Sequence, residues 1–188
     1  MTETEIRKRK LMAIVMIYPF GVLLVSVVLN LLVFGVKPLV VALPSAEYVV
    51  ALVIAAALLV INHTWLMTTT ELTRGRFNMH ATPEEWAASG DNRQDVPEDG
   101  VRELERQHNT HRNSTENAIY FFFLSLIFVL TSPATVAVQV WIIGFAGARL
   151  GYTYSYLSGR DGARGLFMSL SLLAMYGMTS YLVMSVVA

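Results

Sequence analysis

The chain has 188 residues, of which 54% are hydrophobic and only 15% charged, and its mean hydropathy is +0.50. Soluble domains carry about 25% charged residues, so a composition this apolar indicates a membrane protein. Basic and acidic residues number 14 each, which leaves no positive surplus for nucleic acid, and the absence of cysteine excludes disulfides, thiolate metal sites and a cysteine nucleophile.

Apolar segments long enough to cross a membrane follow one another along the chain. A hydrocarbon core of about 30 Å takes about 20 residues of helix, and the first segment, residues 11–36, carries no charge over its whole length. It is too long for a cleaved signal peptide, whose apolar core has about 7 to 15 residues. The third segment is short, but the proline-free stretch from Val101 extends its helix below the membrane. The sequence therefore predicts an all-α integral membrane protein with spans at residues 11–36, 48–70, 118–131, 135–157 and 165–188.

The distribution of lysine and arginine predicts the orientation. Four basic residues, 7–10, precede the first span, and the positive-inside rule places them in the cytoplasm. With five spans, the arginine-containing loops at about 75–112 and 158–164 lie on that same side and the C-terminus lies outside. The absence of cysteine and the short outer loops are typical of a bacterial inner-membrane protein.

The loop at about 75–112 is the only sizeable soluble segment. Its Thr82-Pro83-Glu84-Glu85 sequence predicts the start of a short helix, with a threonine cap, proline in the first turn and a glutamate that completes a capping box.

Several ionisable and polar residues fall near the cytoplasmic ends of the spans. Arg149 lies inside the fourth span, and Tyr152 and Tyr156 follow at the i+3 and i+7 positions of one helix face. Charged groups at membrane depth are costly and usually line an interior site, and arginine binds carboxylates through two parallel hydrogen bonds. The pattern therefore predicts a site for a small zwitterionic or anionic ligand. The other polar residues at this level are Glu71, Arg74, Asn113, Glu116, Tyr120 and Arg164.

Structural explanations compete with this one. Arg160 and Arg164 are also typical of interfacial anchors that set topology, and the tyrosines of the fourth span are typical of an aromatic belt. Glu71 and Arg74 are spaced as a helix-end ion pair that contributes little. Glu105-x-x-His108 copies a di-iron spacing, but no second pair accompanies it, so no metal site is predicted.

Three motifs, in order, resemble the family of membrane-associated proteins in eicosanoid and glutathione metabolism (MAPEG). Residues 105–116, ERQHNTHRNSTE, are similar to its glutamate–arginine and HRN-type signature, and Arg149-x-x-Tyr152-x-x-x-Tyr156 is similar to its arginine–tyrosine face. Residues 58–74, followed by the TPEE sequence of residues 82–85, resemble its first helix and loop. The resemblance covers about residues 50–188.

The resemblance implies a four-helix transmembrane bundle that forms a homotrimer and binds glutathione as co-substrate, with no metal. Arg164 falls on the position of the arginine that activates the thiol. The glutathione-binding positions are Arg74, Arg112, Asn113, Glu116, Arg149, Tyr152 and Tyr156. Residues 1–47, with the first span, would be an addition to a family domain at residues 48–188.

Two functions are the main candidates. The first is a glutathione transferase or peroxidase that attacks a lipophilic electrophile or lipid hydroperoxide, because an arginine beside a thiol favours the reactive thiolate. The alternative is a non-catalytic lipid-binding or scaffolding subunit, with another membrane protein bound through the first span. Asn109, where the family often has arginine, and Met168-Ser169, where it often has tyrosine, favour the alternative. A transporter is a third, weaker reading.

Arg160 remains a rival of Arg164 for the role of the arginine that activates the thiol.

Overall fold

Helices account for nearly all of the ordered structure. In the computed structural model, which describes residues 3–188, 84% of the chain is helical and the described residues contain no strand. The long elements are α1 (Glu3–Leu29, continuing as a π-turn at Asn30–Phe34), α2 (Ala46–Arg76), α4 (Glu98–Leu130) and α7 (Asp161–Val187). The shorter ones are α3 (Pro83–Ser89), a 3₁₀ turn (Arg93–Asp95), α5 (Thr135–Val138), a second π-turn (Gln139–Ile143) and α6 (Gly144–Leu157). The predicted all-α fold is confirmed.

Four helices of the described chain are long and apolar enough to cross a membrane, at Thr4–Phe34, Ala46–Arg76, Glu98–Leu130 and Asp161–Val187. The other predicted span, residues 135–157, is helical throughout but consists of α5, the second π-turn and α6 in succession. The third span begins at Glu98, well before its apolar part, as its polar and proline-free start predicted.

Helices α4, α6 and α7 enclose the core, together with α2. Phe121 of α4 stacks on Phe145 of α6 with ring centroids 4.2 Å apart, and Phe128 meets Tyr181 of α7 edge-on at 5.2 Å. Glycine allows the closest approach between α6 and α7: a Cβ atom at Gly151 would lie 2.3 Å from the Phe167 ring. Small residues at such crossings are typical of membrane helices, because without a hydrophobic driving force between them the helices gain from close packing.

The first helix packs along the outside of α7. Tyr18 donates a hydrogen bond of 2.7 Å to Ser169, and Ser26 and Ser180 approach to 3.4 Å further along the two helices. Only 6% of the apolar window of α1 is buried, so most of its surface stays outward.

The capping box in the cytoplasmic loop has the predicted form. The Thr82 hydroxyl accepts a hydrogen bond from the Glu85 backbone N–H, and the Glu85 carboxylate accepts one from the Thr82 N–H. Gly90 ends α3 in the left-handed conformation, with φ at 78°, which favours glycine.

Candidate functional site

Arg149 is buried in the middle of the bundle without an anionic partner. Its side chain lies on α6 and the residue is 1% exposed. Its Nη2 donates to Asn113 Oδ1 at 2.9 Å and to Ser114 Oγ at 3.0 Å, both on α4, while its Nε has no partner. The ion pairs among the described residues do not include it. A buried cation held only by neutral groups is costly unless an anion joins it, so the arrangement is suited to an acidic ligand.

Two tyrosines connect Arg149 with Arg164. The Arg149 guanidinium lies 4.4 Å from the centre of the Tyr152 ring, and the Tyr152 and Tyr156 rings are 5.7 Å apart. The Arg164 guanidinium lies 5.0 Å from the centre of the Tyr156 ring. We call Arg149, Tyr152, Tyr156 and Arg164 the arginine–tyrosine column. Cations over aromatic faces are attracted by the ring quadrupole, so each arginine of the column is stabilised by one of the two neighbouring tyrosine rings.

A polar cavity of about 360 Å³ opens beside the Arg164 end of this column. Arg164 and Tyr156 line one side, and Asn109 lies on the α4 side. The remaining lining residues are Arg102, Glu105, Arg106, Gly159 and Asp161. Arg164 forms a half-exposed ion pair with Asp161 at 3.2 Å, which leaves part of its guanidinium available to a ligand.

Arg160 points to the other side of α6. Its guanidinium lies 5.2 Å from the ring centre of Tyr154, a half-exposed residue outside the column, and Arg160 does not line the cavity. Arg164 therefore contacts Tyr156, whereas Arg160 does not.

The structure brings together five of the eight residues predicted for the site: Asn113, Arg149, Tyr152, Tyr156 and Arg164. Arg112 and Glu116 lie exposed on the outward face of α4 instead. Arg74, at the cytoplasmic end of α2, pairs with the exposed Glu71 at 2.5 Å, and its buried Nε has no partner. Within one chain these three residues do not contact the column.

The comparison with known families covers the part of the chain that contains the column. The MAPEG family model matches residues 48–184, which is most of the chain. The protein belongs to the MAPEG family. The match begins in α2 and ends near the C-terminus of α7, so α1 lies outside the matched part of this MAPEG protein. The chain has no match among curated proteins.

Family membership supports a membrane protein of glutathione or eicosanoid metabolism in general. No group of three or more His, Cys, Asp or Glu side chains that could hold a metal ion occurs within residues 3–188 of this MAPEG protein. His111 of the HRN-type run packs edge-on against His63 of α2 at 5.8 Å.

Four residues near the column were not among the eight predicted for the site. Ser114 accepts a hydrogen bond from Arg149, and the Met168 sulfur lies 4.0 Å from Arg149 Nη1. Arg102 and Arg106 line the cavity with Asn109. The spacing of these last three residues, i, i+4 and i+7, places them on one helix face and was the available signal. Met168 stands where the family resemblance places a tyrosine, but nothing local to the sequence indicated that Ser114 and Met168 contact Arg149.

Proposed function

We propose that this MAPEG protein is a membrane-bound glutathione transferase or peroxidase that acts on a lipophilic electrophile or a lipid hydroperoxide. The observation that carries the proposal is the buried, anion-free Arg149 in a column that ends at Arg164 beside a polar cavity. Glutathione is a small peptide with two carboxylates and a thiol, and two separated arginines suit one carboxylate and one thiolate.

The column's residues take different parts in the proposed chemistry. Arg149 would bind a glutathione carboxylate, and Asn113 would hold Arg149 in place through the bond to its Nη2. Arg164 would lie against the sulfur, where a positive charge favours loss of the thiol proton. In a transfer, the thiolate sulfur forms a bond to the electrophilic carbon and the leaving group departs with its electron pair. In a peroxidase turnover, two glutathiones become one disulfide while the hydroperoxide is reduced to an alcohol and water.

We propose a homotrimer with sites between subunits, the number being the one that the family resemblance implies; the exposed charges on α4 support a contact between subunits. Glu116 precedes the end of α4 at Leu130 by 14 residues, or about 21 Å, which keeps it within the thickness of a hydrocarbon core of about 30 Å. An unpaired charge that faces lipid is costly. A neighbouring copy would cover Arg112 and Glu116, and Arg74 would come from the adjacent subunit to complete the glutathione site.

We propose the predicted orientation and division of the chain as well. The N-terminus and the cavity would face the cytoplasm of a bacterial inner membrane, with the family domain at residues 48–188 and α1 as an added span. A non-catalytic lipid-binding or scaffolding subunit is the second candidate. It is favoured by the apolar outward surface of α1, which another membrane protein or lipid would cover.

The decisive measurement is the ultraviolet difference spectrum of glutathione with the solubilised protein near neutral pH. A thiolate signal should appear on binding and decrease strongly in Arg164→Ala. The matched control is Arg160→Ala, because Arg160 is a neighbouring arginine that stacks on Tyr154 outside the column. This control should keep the signal.

The pH dependence of the thiolate absorbance shows in which direction Arg164 shifts the pKa of the bound thiol. Arg164 lowers the pKa of the bound thiol from a free value of about 8.5, so Arg164→Ala should shift the appearance of thiolate to higher pH. A shift of one pKa unit corresponds to about 1.4 kcal/mol of lost thiolate stabilisation. No thiolate at saturating glutathione, together with no turnover of chlorodinitrobenzene or a lipid hydroperoxide, would favour the scaffolding role.

A further inference from the structure

Two π-turns in the described part of the chain meet near the C-terminal end of α1. One begins at Asn30 in α1, and the other contains Trp141 between α5 and α6. Asn30 Oδ1 accepts a hydrogen bond of 3.0 Å from the Trp141 indole N–H. Phe34, at the end of the first π-turn, meets the Trp141 ring edge-on at 5.2 Å. An element outside the family match therefore touches the helix that carries Arg149.

Asn30 is fully buried and uses both ends of its amide. Its Nδ2 donates to the Gly177 carbonyl at 2.7 Å and to Ser180 Oγ at 3.0 Å, both on α7. Trp141 is 2% exposed and packs so closely on Gly177 that a Cβ atom there would lie 2.4 Å from the indole ring. We call Asn30, Trp141, Gly177 and Ser180 the Asn30 network. It joins α1, the second π-turn and α7 through neutral groups whose hydrogen bonds are all made.

The second π-turn determines which way α6 faces. A π-turn holds one residue more than an α-helical turn, and each residue of an α-helix turns by about 100°. Arg149, Tyr152 and Tyr156 all follow the π-turn in the chain. If the segment became regular α-helix, these side chains would rotate by about 100° relative to α5. A π-turn is intrinsically poorer than an α-turn, so side-chain contacts with neighbouring helices must hold it.

We infer that Asn30 is a positioning residue: through Trp141 it holds the π-turn at Gln139–Ile143, and so sets the face on which Arg149, Tyr152 and Tyr156 lie. The added span α1 is then part of the site's architecture and more than a membrane anchor. The effect of Asn30 on ligand binding rests on the proposed glutathione site, but its effect on the rotation of α6 does not.

Single cysteines can report the rotation of α6 directly, because the natural chain contains none. Thr153 is fully buried and its hydroxyl has no hydrogen-bond partner, so Thr153→Cys is a mild change at a protected position. The next residue, Tyr154, is 43% exposed and gives the opposite reporter, Tyr154→Cys. Each reporter is combined with Asn30→Leu, and its alkylation by N-ethylmaleimide is timed in detergent.

The expected result is a change of opposite sign at the two reporters. Asn30→Leu should raise the alkylation rate of Cys-substituted Thr153 by about tenfold or more and lower that of Cys-substituted Tyr154, since a rotation exposes one face as it buries the other. General loosening of the helix would raise both rates, and a rigid helix would change neither. Either of these results would overturn the inference.

Ser26→Ala is the matched control. Ser26 is also fully buried and lies on the same face of α1, but it touches Ser180 and not Trp141. It should leave both alkylation rates unchanged; equal effects from Ser26→Ala and Asn30→Leu would contradict a specific role for Asn30. Trp141→Phe, which keeps an aromatic ring on Gly177 and removes the N–H donor, gives a second variant and should act in the same direction as Asn30→Leu.

Glutathione titration separates this inference from the proposed function. If the proposed site is right, Asn30→Leu should raise the glutathione Kd by about tenfold or more and Ser26→Ala should not, because the rotation would turn Arg149 and the two tyrosines away from the positions in which they bind the ligand. If the natural protein does not bind glutathione but the reporters change as expected, the proposed function fails and the inference stands. If glutathione binds equally to all variants and the reporters do not change, the inference fails and the function stands.

Discussion

The arginine–tyrosine column, which is buried at Arg149 and half-exposed at Arg164, and the fully buried Asn30 network satisfy their polar groups differently. In the Asn30 network every group is neutral, and the amide of Asn30 is paired at both ends. In the column, two cations face aromatic rings, and Arg149 Nε has no partner. A saturated neutral network holds helices together, whereas an unsaturated charged cluster is costly until a ligand completes it.

The largest effect on ligand binding should come from Arg149→Met, which keeps much of the apolar stem and removes the charge. This variant tests the difference between the two clusters directly. We expect the glutathione Kd to rise by about 30-fold or more, because a charge-assisted bidentate contact is lost. The same variant should unfold at an equal or higher temperature, since an uncompensated buried cation is removed. Calorimetric titration and thermal unfolding in detergent test the two parts.

Arg160→Met is the control for this pair of measurements, because that arginine is exposed and stacks outside the column. It should change neither quantity measurably. A large loss of thermal stability in Arg149→Met with binding retained would mean that Arg149 is a structural residue, and the contrast between the two clusters would disappear.

A smaller effect is expected at the α6–α7 crossing beside the column. In Gly151→Ala the new Cβ would meet the Phe167 ring, and the overpacking should lower the free energy of unfolding by about 1–3 kcal/mol. Gly147→Ala, one turn earlier on the same helix, meets nothing within 4 Å and should be neutral or stabilise by up to about 1 kcal/mol. Thermal or denaturant unfolding of the two variants side by side measures the difference; equal stabilities would show that the crossing is looser than described.

The smallest effect should follow from loss of the exposed charge pair on α2. The Glu71 side chain is 67% exposed in its ion pair with Arg74, and solvent screens such pairs strongly. Glu71→Gln should therefore change the free energy of unfolding by less than about 0.5 kcal/mol, and the change should become smaller as salt is added. A loss above about 1 kcal/mol would place this pair with the buried clusters.

Local features were accessible from the sequence because they depend on residues within one or two helical turns. The helical spans, the capping box at Thr82 and the shared face of Arg149, Tyr152 and Tyr156 all follow from hydropathy and the period of 3.6 residues. The same reasoning indicated an interior role for Arg149 by the cost of a charge at membrane depth.

Contacts between helices were not accessible in the same way. The choice of Arg164 over Arg160 as the neighbour of Tyr156, and the roles of Ser114 and Met168 beside Arg149, depend on how α4, α6 and α7 cross. Arg112 and Glu116 share a helix with Asn113 yet face outward, because the packing of one chain decides which side of α4 is covered.

The amino-acid sequence alone determined that this chain is a helical membrane protein with an arginine at membrane depth, because hydropathy, charge placement and i, i+3 spacing are properties of single segments; the MAPEG resemblance rested on short motifs, which are also local. Only the tertiary structure decided that α1 reaches Trp141 and that a π-turn precedes Arg149. The physical reason is that a π-turn is unfavourable in an isolated helix, so its place is set by contacts between residues more than a hundred positions apart in the chain.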